Sequence, residues 1–200
     1  TIGHIYDANG QPLIEMAREY RRNVKYEDIP PIVRDAILAT EDKNFFTHSG
    51  VDYSVIPRVL GKVRIGTLVA RLTGLRRQDE VNRSAIFPHG GSTITQQLAR
   101  TLFLTREKVV YRKIQEVLLA LQIEQRFSKD QIFTFYANQV NFGHGNYGVE
   151  AASRFFFGKS AKNLTLAEAA LLAGLPQRPG DLSPLDNPKR SLTRRNHVLQ

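Results

Sequence analysis

Apolar residues recur at helix-type spacing along most of this 200-residue chain, and residues that start or stop helices separate the segments. Pro30-Pro31 opens a helix that we expect to run to about Ala39, because proline is tolerated in the first helical turn. Little strand is predicted beyond a short hairpin over residues 2–14. Hydroxyl residues stand where they can cap later helices, at Ser92, Ser128 and Thr165. The sequence therefore predicts one mainly α-helical domain over residues 1–200.

The charge of the chain points to an anionic partner. The net charge is +9 with an isoelectric point near 10.0, which suits nucleic acid, anionic lipid or a phosphorylated substrate. Cysteine is absent, which excludes disulfides, a thiolate nucleophile and Cys-ligated metals. No apolar stretch reaches the roughly 18 residues of a membrane span. Because the chain begins at Thr1, we interpret it as a fragment whose membrane anchor lies elsewhere.

Two adjacent carboxylates, Glu41 and Asp42, close the first helical segment. Apolar neighbours remove water from an acidic side chain, which raises its pKa toward the range useful for a general acid or base. Either residue could instead cap a helix. His48 follows in the same segment, where it is more often a hydrogen-bonded structural residue than a base.

A second candidate carboxylate, Glu116, lies on the longest predicted helix. We expect one face of this helix to form an apolar stripe, made by Val110, Ile114, Val117, Leu118 and Leu121. Further apolar residues predict that its second half is buried: Leu119, Ala120 and Ile123. A partly buried Glu116 with Arg112 and Lys113 close by is either a structural ion pair or part of a site.

The stretch "GGSTITQQLAR" combines glycines with a helix N-terminus that carries hydroxyl and amide side chains. Free backbone N–H groups, together with Ser92, Thr93 and Thr95, suit phosphate or sugar oxygens. The stretch is not a phosphate-binding Walker loop, because Gly-Lys-Ser/Thr is missing. An ordinary capped helix is the alternative. No spacing of His, Asp and Glu indicates a metal site built by the protein.

Five segments stand in an order typical of one family: "EDKNFFTHSG", "GGSTITQQLAR", "RKIQE", "SKDQIFTFYANQVNFGHGNYGVEAASRFFFGK" and "LTLAEAALLAGLPQRP". Through them the chain resembles the peptidoglycan glycosyltransferases, the transglycosylase half of class A penicillin-binding proteins and its monofunctional relatives. The resemblance runs from about Ile5 to Leu199. Five ordered motifs are far more specific than any one of them.

The resemblance implies a lysozyme-like, mainly α fold with a large globular lobe, a small membrane-proximal lobe and the N-terminal hairpin. It implies that Glu41 is the general base that takes the proton of the acceptor sugar's 4-hydroxyl. Glu116 would help to organise the diphosphate end of the donor. Six further residues would hold sugar and diphosphate oxygens: Ser92, Gln96, Gln97, Arg100, Arg112 and Lys113.

The implied reaction polymerises lipid II and the lipid-linked glycan chain into β-1,4-linked strands by inverting displacement. Undecaprenyl diphosphate leaves, and such a group needs cations rather than an acid. The resemblance implies no cofactor built into the protein, although a divalent cation could sit on the substrate diphosphate. It implies contact with an anionic membrane surface and with moenomycin-type inhibitors, but not with nucleic acid. The enzyme would work at the outer, periplasmic face of the bacterial cytoplasmic membrane.

Several positions depart from the family pattern. Asn44 stands where arginine is frequent, Arg100 where lysine is common, and Asn141 where tyrosine is usual. The segment "PQRPGDLSP" also replaces a more common Lys-Ala-Pro type of sequence. Arginine keeps the charge of lysine but changes the hydrogen-bonding geometry. We expect these departures to affect substrate affinity more than the type of reaction.

Residues 53–89 are predicted to be a mobile, membrane-proximal segment. Between Val59 and Arg77 basic and apolar residues alternate without an acidic one. Such a segment can lie on a lipid surface with its cations toward phosphate headgroups.

Two other functions stay open on the residues alone. A lytic muramidase of the lysozyme-like fold would use paired carboxylates, but it does not explain "GGSTITQQ" and "RKIQE". A non-catalytic module could bind anionic membrane or nucleic acid through its charge. The presence of both Glu41 and Glu116 argues against a module without activity, and the basic residues lack the interleaved aromatics of a single-strand groove.

Overall fold

The computed structural model describes residues 3–6, 9–16, 19–55, 92–103 and 109–200. The helices in these ranges are α1 (Pro31–Glu41), α2 (Ile94–Phe103), α3 (Val109–Arg126), α4 (Lys129–Gln139), α5 (Val149–Phe157), α6 (Leu166–Gly174) and α7 (Pro188–Val198). The strands are β1 (Gly3–Tyr6), β2 (Pro12–Met16), β3 (Tyr20–Arg21) and β4 (Asn146–Tyr147). Short 3-10 turns occupy Tyr26–Asp28, Tyr53–Val55 and Ala161–Asn163. The prediction of a mainly helical chain is confirmed.

The first two strands form the predicted N-terminal hairpin. β1 and β2 are antiparallel, with Ile5 opposite Ile14, and Gly10 in the connection has a φ of 76°. Glycine adopts such a positive φ without steric cost, which explains the turn after Asn9. β3 pairs in parallel with β4, and this pairing holds the segment before α1 against the glycine-rich link between α4 and α5.

Helix α1 begins as the sequence predicts but ends later. Proline occupies its first position, and Val33, Ala36 and Ile37 are buried at the spacing of one helical face. The helix does not end near Ala39. It continues to Glu41, and the backbone N–H of Asp42 still donates to the carbonyl of Leu38 at 2.9 Å. Glu41 is therefore fixed by helical backbone, although it is the last residue of α1.

The cap of α2 corrects the prediction for Ser92. Thr93 is the capping residue: its Oγ1 accepts from the backbone N–H of Gln96 at 3.2 Å, and its own N–H donates to Gln96 Oε1 at 3.1 Å. This reciprocal pair is a capping box. Ser92 lies one residue too early for it, and its hydroxyl accepts a hydrogen bond from Lys113 instead. The predicted caps at Ser128 and Thr165 are both present, each within a capping box.

The apolar stripe predicted on α3 is not its buried face, although the predicted burial of Ala120 and Ile123 is confirmed. Ile114 and Leu118 of that stripe are 55% and 56% exposed, whereas Glu116, Ala120 and Ile123 are buried. The loop residue Gly50 approaches this buried face closely, since a Cβ added to Gly50 would lie 3.0 Å from the Ala120 carbonyl oxygen.

Around these contacts the helices enclose one apolar core. α6 packs against both α1 and α7, and α2 packs against both α3 and α4. The largest buried side chains include Phe45, Phe133, Phe142, Ile37, Leu98 and Leu172. The end of α1 and the beginning of α2 meet at the edge of this core. The predicted membrane-proximal segment, residues 53–89, lies outside the described residues apart from Tyr53–Val55.

Candidate active site

Glu41 ends α1 beside the first turn of α2, and it is only partly exposed. Gln97 Nε2 donates to Glu41 Oε2 at 2.9 Å. Burial raises the pKa of the Glu41 carboxyl above its ordinary value, and the negative charge of Asp42 acts in the same direction. The hydrogen bond from Gln97 and the charges of Arg194 and Arg100 lower this pKa without offsetting the burial. A raised pKa makes this carboxylate a stronger base, which is the property that a general base requires.

The Gln97 side chain connects Glu41 with the neighbouring helices. Besides its bond to Glu41, its Nε2 lies 3.4 Å from the backbone oxygen of Ser92, and its Oε1 accepts from the Tyr136 hydroxyl at 3.5 Å. Burial, with the charge of Glu41 adding to it, raises the pKa of Tyr136 well above the usual tyrosine value. Tyr136 therefore remains a protonated phenol and can keep donating to Gln97.

Asp42 links the end of α1 to the beginning of α2. Both of its carboxylate oxygens lie 3.0 Å from Nε2 of His48, and Oδ2 also accepts from the backbone N–H of Ile94 at 2.9 Å. The N–H of Gly50 donates to His48 Nδ1 at 3.1 Å. Because Nδ1 accepts a hydrogen bond, the ring proton must be on Nε2, where it points at Asp42. Asp42 and His48 thus position Glu41 relative to Gln97.

Glu116 forms a second cluster with residues of α3 and with Ser92. Its side chain is buried, and Lys113 Nζ donates to Glu116 Oε2 at 2.9 Å. The same Nζ donates to Ser92 Oγ at 2.8 Å. Arg112 Nε lies 3.6 Å from Glu116 Oε1. The sequence left open whether Glu116 forms an ion pair or belongs to the site. The residues that pair with Glu116 are themselves predicted site residues, so the two interpretations describe the same group of side chains.

In this cluster, the Arg112 guanidinium has a donor group that makes no hydrogen bond to any described residue. Its Nε is buried without a hydrogen-bond partner among the described residues, while about a third of its side chain (32%) is exposed. A guanidinium in this situation can still bind an oxyanion.

A cleft is lined by Gln97, the hydrogen-bond partner of Glu41, together with residues of α2, α4 and the glycine-rich link. Its volume is about 270 Å³, and its lining includes Gln97, Arg100, Tyr136, Asn141 and Tyr147. Asn141 is one of the departures from the family pattern, and its Oδ1 accepts from the N–H of Gly143 at 2.8 Å. Asn44, another departure, donates to Asp52 at 2.9 Å on the outer side of its loop.

The structure groups most of the predicted site residues into two connected clusters. Glu41 and Gln97 form the first, with Arg100 acting on it through its charge, and Ser92, Lys113, Glu116 and Arg112 form the second. Gln96 belongs to neither, because it is buried and its oxygen is used by the cap of α2. Its contact with substrate stays a prediction.

Two residues near Glu41 are not predicted by the sequence. Tyr136 belongs to one of the family motifs, but nothing local shows that its hydroxyl reaches Gln97. Arg194 lies far along the chain in α7, and its charge nevertheless lowers the pKa of Glu41. Only the three-dimensional packing of α1, α6 and α7 brings it there.

Neither a metal cage nor a membrane span is found in the part of the chain that the structure describes. In those ranges, no group of His, Cys, Asp and Glu is suited to hold a metal ion. None of the helices there has the length and hydropathy needed to cross a membrane.

Similarity to known proteins shows the family of this chain. The family model described as transglycosylase matches residues 9–200. The chain belongs to the transglycosylase family. Penicillin-binding protein 1A of Aquifex aeolicus is 43% identical over 197 residues, which cover 98% of this chain and 24% of that relative. Penicillin-binding protein 1F of Bacillus subtilis is 38% identical over 196 residues, covering 98% of this chain and 25% of that protein.

A solved structure supports the same fold. The crystal structure of penicillin-binding protein 1A from Haemophilus influenzae matches with a TM-score of 0.51 and 26% identity, over all of this chain and 17% of that one. The predicted family and the predicted lysozyme-like glycosyltransferase fold are confirmed. The transglycosylase chain spans about a quarter of the length of the curated relatives named above, at 24% and 25%.

Proposed function

We propose that this transglycosylase polymerises lipid II into β-1,4-linked glycan strands, with Glu41 as the general base. The observation that carries the proposal is the Glu41 carboxylate, with its raised pKa and its hydrogen bond to Gln97, a residue that lines the cleft. A base in such a state can take the proton from the 4-hydroxyl of an acceptor sugar as the hydroxyl attacks the donor's anomeric carbon. Inversion follows because the base and the leaving group act on opposite faces of that carbon.

The second cluster would receive the leaving diphosphate. Departure of undecaprenyl diphosphate develops negative charge on phosphate oxygens, and fixed cations stabilise that charge in the transition state. Lys113 and Arg112 supply the cations, and Glu116 holds Lys113 in place at 2.9 Å. Ser92 adds a hydroxyl to the same group, through its contact with Lys113.

The nature of this substrate suggests where the enzyme works and what else binds to it. A lipid-linked donor has to be met at a membrane surface, and the net charge of +9 favours an anionic one. We therefore propose that the domain acts at the outer face of the bacterial cytoplasmic membrane. Moenomycin-type phosphoglycolipids would compete for the diphosphate cluster. A divalent cation, if required, would bind through the substrate's diphosphate.

Incubation with labelled lipid II in detergent tests the proposal. The expected product is a ladder of glycan polymer that a muramidase then digests to disaccharide units. In a parallel reaction, polymeric peptidoglycan should stay intact. Solubilisation of that polymer, with no elongation of lipid II, would instead identify a lytic muramidase.

Replacement of the second carboxylate should lower both turnover and stability. We expect Glu116→Gln to reduce turnover at least about ten-fold, because Lys113 loses the group that holds it beside Ser92. Removal of one partner from a buried ion pair also costs about 3 kcal/mol or less here, since Lys113 is partly exposed. Turnover and urea unfolding are to be measured on the same preparation. A loss of turnover equal to the unfolded fraction alone would give Glu116 a purely structural role.

The cations of the site should determine the affinity for diphosphate lipids. We expect Arg112→Ala, Lys113→Ala and Arg100→Ala each to weaken the binding of a diphosphate-lipid donor or of moenomycin about five- to fifty-fold. Arg126→Ala is the matched control, since Arg126 is an exposed cation near the end of α3. Affinity is to be measured by titration in detergent at moderate salt. Equal affinity of the three variants and the control would contradict the assignment.

A further inference from the structure

Arg194 of α7 passes across the end of α6 at a point where only glycine leaves room. A Cβ added to Gly174, the last residue of α6, would lie 2.9 Å from Cγ of Arg194 and 3.8 Å from its Nε. A separation of 2.9 Å is shorter than carbon atoms tolerate, so an alanine at this position would push the arginine stem aside. The absence of a side chain at Gly174 therefore leaves the space that the Arg194 stem occupies.

The Nε–H group of Arg194 is a hydrogen-bond donor that donates to no described residue. That nitrogen is buried and has no partner among the described residues. The adjacent Arg195 differs, because its Nε and Nη2 both donate to Asn196 Oδ1, at 3.1 and 2.7 Å. A buried donor without a partner costs free energy, so its presence at this position calls for an explanation.

The group on which this charge acts is Glu41. Two cations, Arg194 from α7 and Arg100 from α2, lower the pKa of Glu41 through their charge, and the effect of Arg194 is the larger. Asp42 raises it from the end of α1, and the Tyr136 phenol interacts with Glu41 from α4. α7 packs against both α6 and α1, which brings Arg194 to the helix that ends in Glu41.

We propose that Arg194 is a positioning residue of this site, which supplies a fixed positive charge near the Glu41 carboxylate, and that Gly174 makes the space for it. The proposal rests on the function proposed above. A base buried next to Asp42 tends to hold its proton, and a proton on Glu41 would block catalysis. The Arg194 charge offsets this tendency from a distance, so that the carboxylate stays available to the acceptor hydroxyl instead of being held in an ion pair.

Variants at two positions separate charge from packing. Arg194→Met keeps an unbranched stem across Gly174 and removes the charge, whereas Arg194→Lys keeps both. Gly174→Ala keeps the charge but displaces it, although alanine is the better helix residue. Arg195→Met, one position along α7, is the matched control.

Two readouts are to be taken across pH: turnover on lipid II, and the carboxyl ¹³C shift of Glu41 in substrate-free protein labelled at glutamate. The Glu41 signal is assigned by its loss in Glu41→Gln. A raised Glu41 pKa leaves less ionised base at low pH. We therefore expect Arg194→Met to lower turnover at least about three-fold at the acidic end of the pH profile and less than about two-fold at its alkaline end. The ¹³C midpoint should move to higher pH in Arg194→Met and Gly174→Ala, and it should stay in place in Arg194→Lys and Arg195→Met.

An unchanged ¹³C midpoint in Arg194→Met, or an equal change in Arg195→Met, would overturn the role of Arg194. If Arg194→Met does not fold, the comparison of Gly174→Ala with Arg194→Lys tests the same role: equal midpoints in these two variants would overturn it. A wild-type chain that does not polymerise lipid II would overturn the proposed function. The ¹³C titration needs no substrate, so it still tests the effect of Arg194 on Glu41 in that case.

Discussion

Glu41→Gln should lower the rate of lipid II polymerisation by about two to four orders of magnitude, which is the contribution expected of a general base. Glutamine has nearly the shape of glutamate, and its side-chain oxygen can still accept the hydrogen bond from Gln97. It cannot accept a proton from the acceptor sugar. The fold should survive, because Glu41 is the last residue of α1 and is only partly buried. Initial rates on labelled lipid II, taken together with thermal melting, measure both effects.

Asp35→Asn is the matched control for this variant. Asp35 is an exposed carboxylate on α1, the helix that carries Glu41. Loss of its charge should leave turnover within about two-fold of the parent. Turnover of Glu41→Gln within about ten-fold of the parent, in protein that melts normally, would remove Glu41 from the role of base.

The parts of the fold that local chemistry determines could be predicted from the sequence. Proline at the first position of α1, the capping boxes at Ser128 and Thr165, and the glycine turn in the hairpin all act within a few residues. Each of these signals works through a backbone hydrogen bond or a backbone angle, so it requires no knowledge of distant contacts.

The errors arose where distant contacts compete with local signals. Ser92 is as good a capping residue as Thr93, but Lys113 occupies its hydroxyl and Thr93 pairs with Gln96. On α3 the apolar stripe around Ile114 is the stronger local pattern, yet the face that carries Glu116, Ala120 and Ile123 is the buried one and is closely approached by Gly50. Periodicity gives the faces that a helix could bury, and packing selects among them.

In the candidate site, too, local motifs predicted some residues, whereas others depend on distant contacts. Ordered motifs pointed to Glu41, Gln97 and Glu116, and the structure brings each of them into a hydrogen-bonded cluster. The motifs did not separate Gln96, whose side chain faces the cap of α2, from its neighbour Gln97. Arg194 carried no local signal, because its effect on Glu41 depends on α7 packing beside α1.

Asp42→Asn should destabilise the protein by about 2–4 kcal/mol, although it changes one oxygen atom to an NH2 group. With its oxygen in the Oδ2 position, the introduced asparagine could still accept from the Ile94 N–H and from the Nε2–H of His48, since both carboxylate oxygens of Asp42 lie 3.0 Å from Nε2. Its NH2 group, in the Oδ1 position, would be a donor beside the same Nε2–H and would have no acceptor there. Moving the ring proton to Nδ1 only transfers the conflict to the N–H of Gly50, which donates there at 3.1 Å. No tautomer of His48 accepts from both the NH2 group and the N–H of Gly50. Urea unfolding measures the loss.

A double-mutant cycle with His48→Gln distinguishes this conflict from a general loss of charge. If Asp42 and His48 act as one unit, their coupling free energy should exceed about 1 kcal/mol. Asp52→Asn is the control, because Asp52 is a more exposed acid of the same loop and should cost about 1 kcal/mol at most. Additive effects of Asp42→Asn and His48→Gln would show that the two residues stabilise the loop independently. Asp42 also holds the first turn of α2 through the N–H of Ile94, and Gln97 of that helix donates to Glu41. If the two residues are coupled, we therefore expect Asp42→Asn to lower turnover by more than its unfolded fraction, because Gln97 would move away from Glu41.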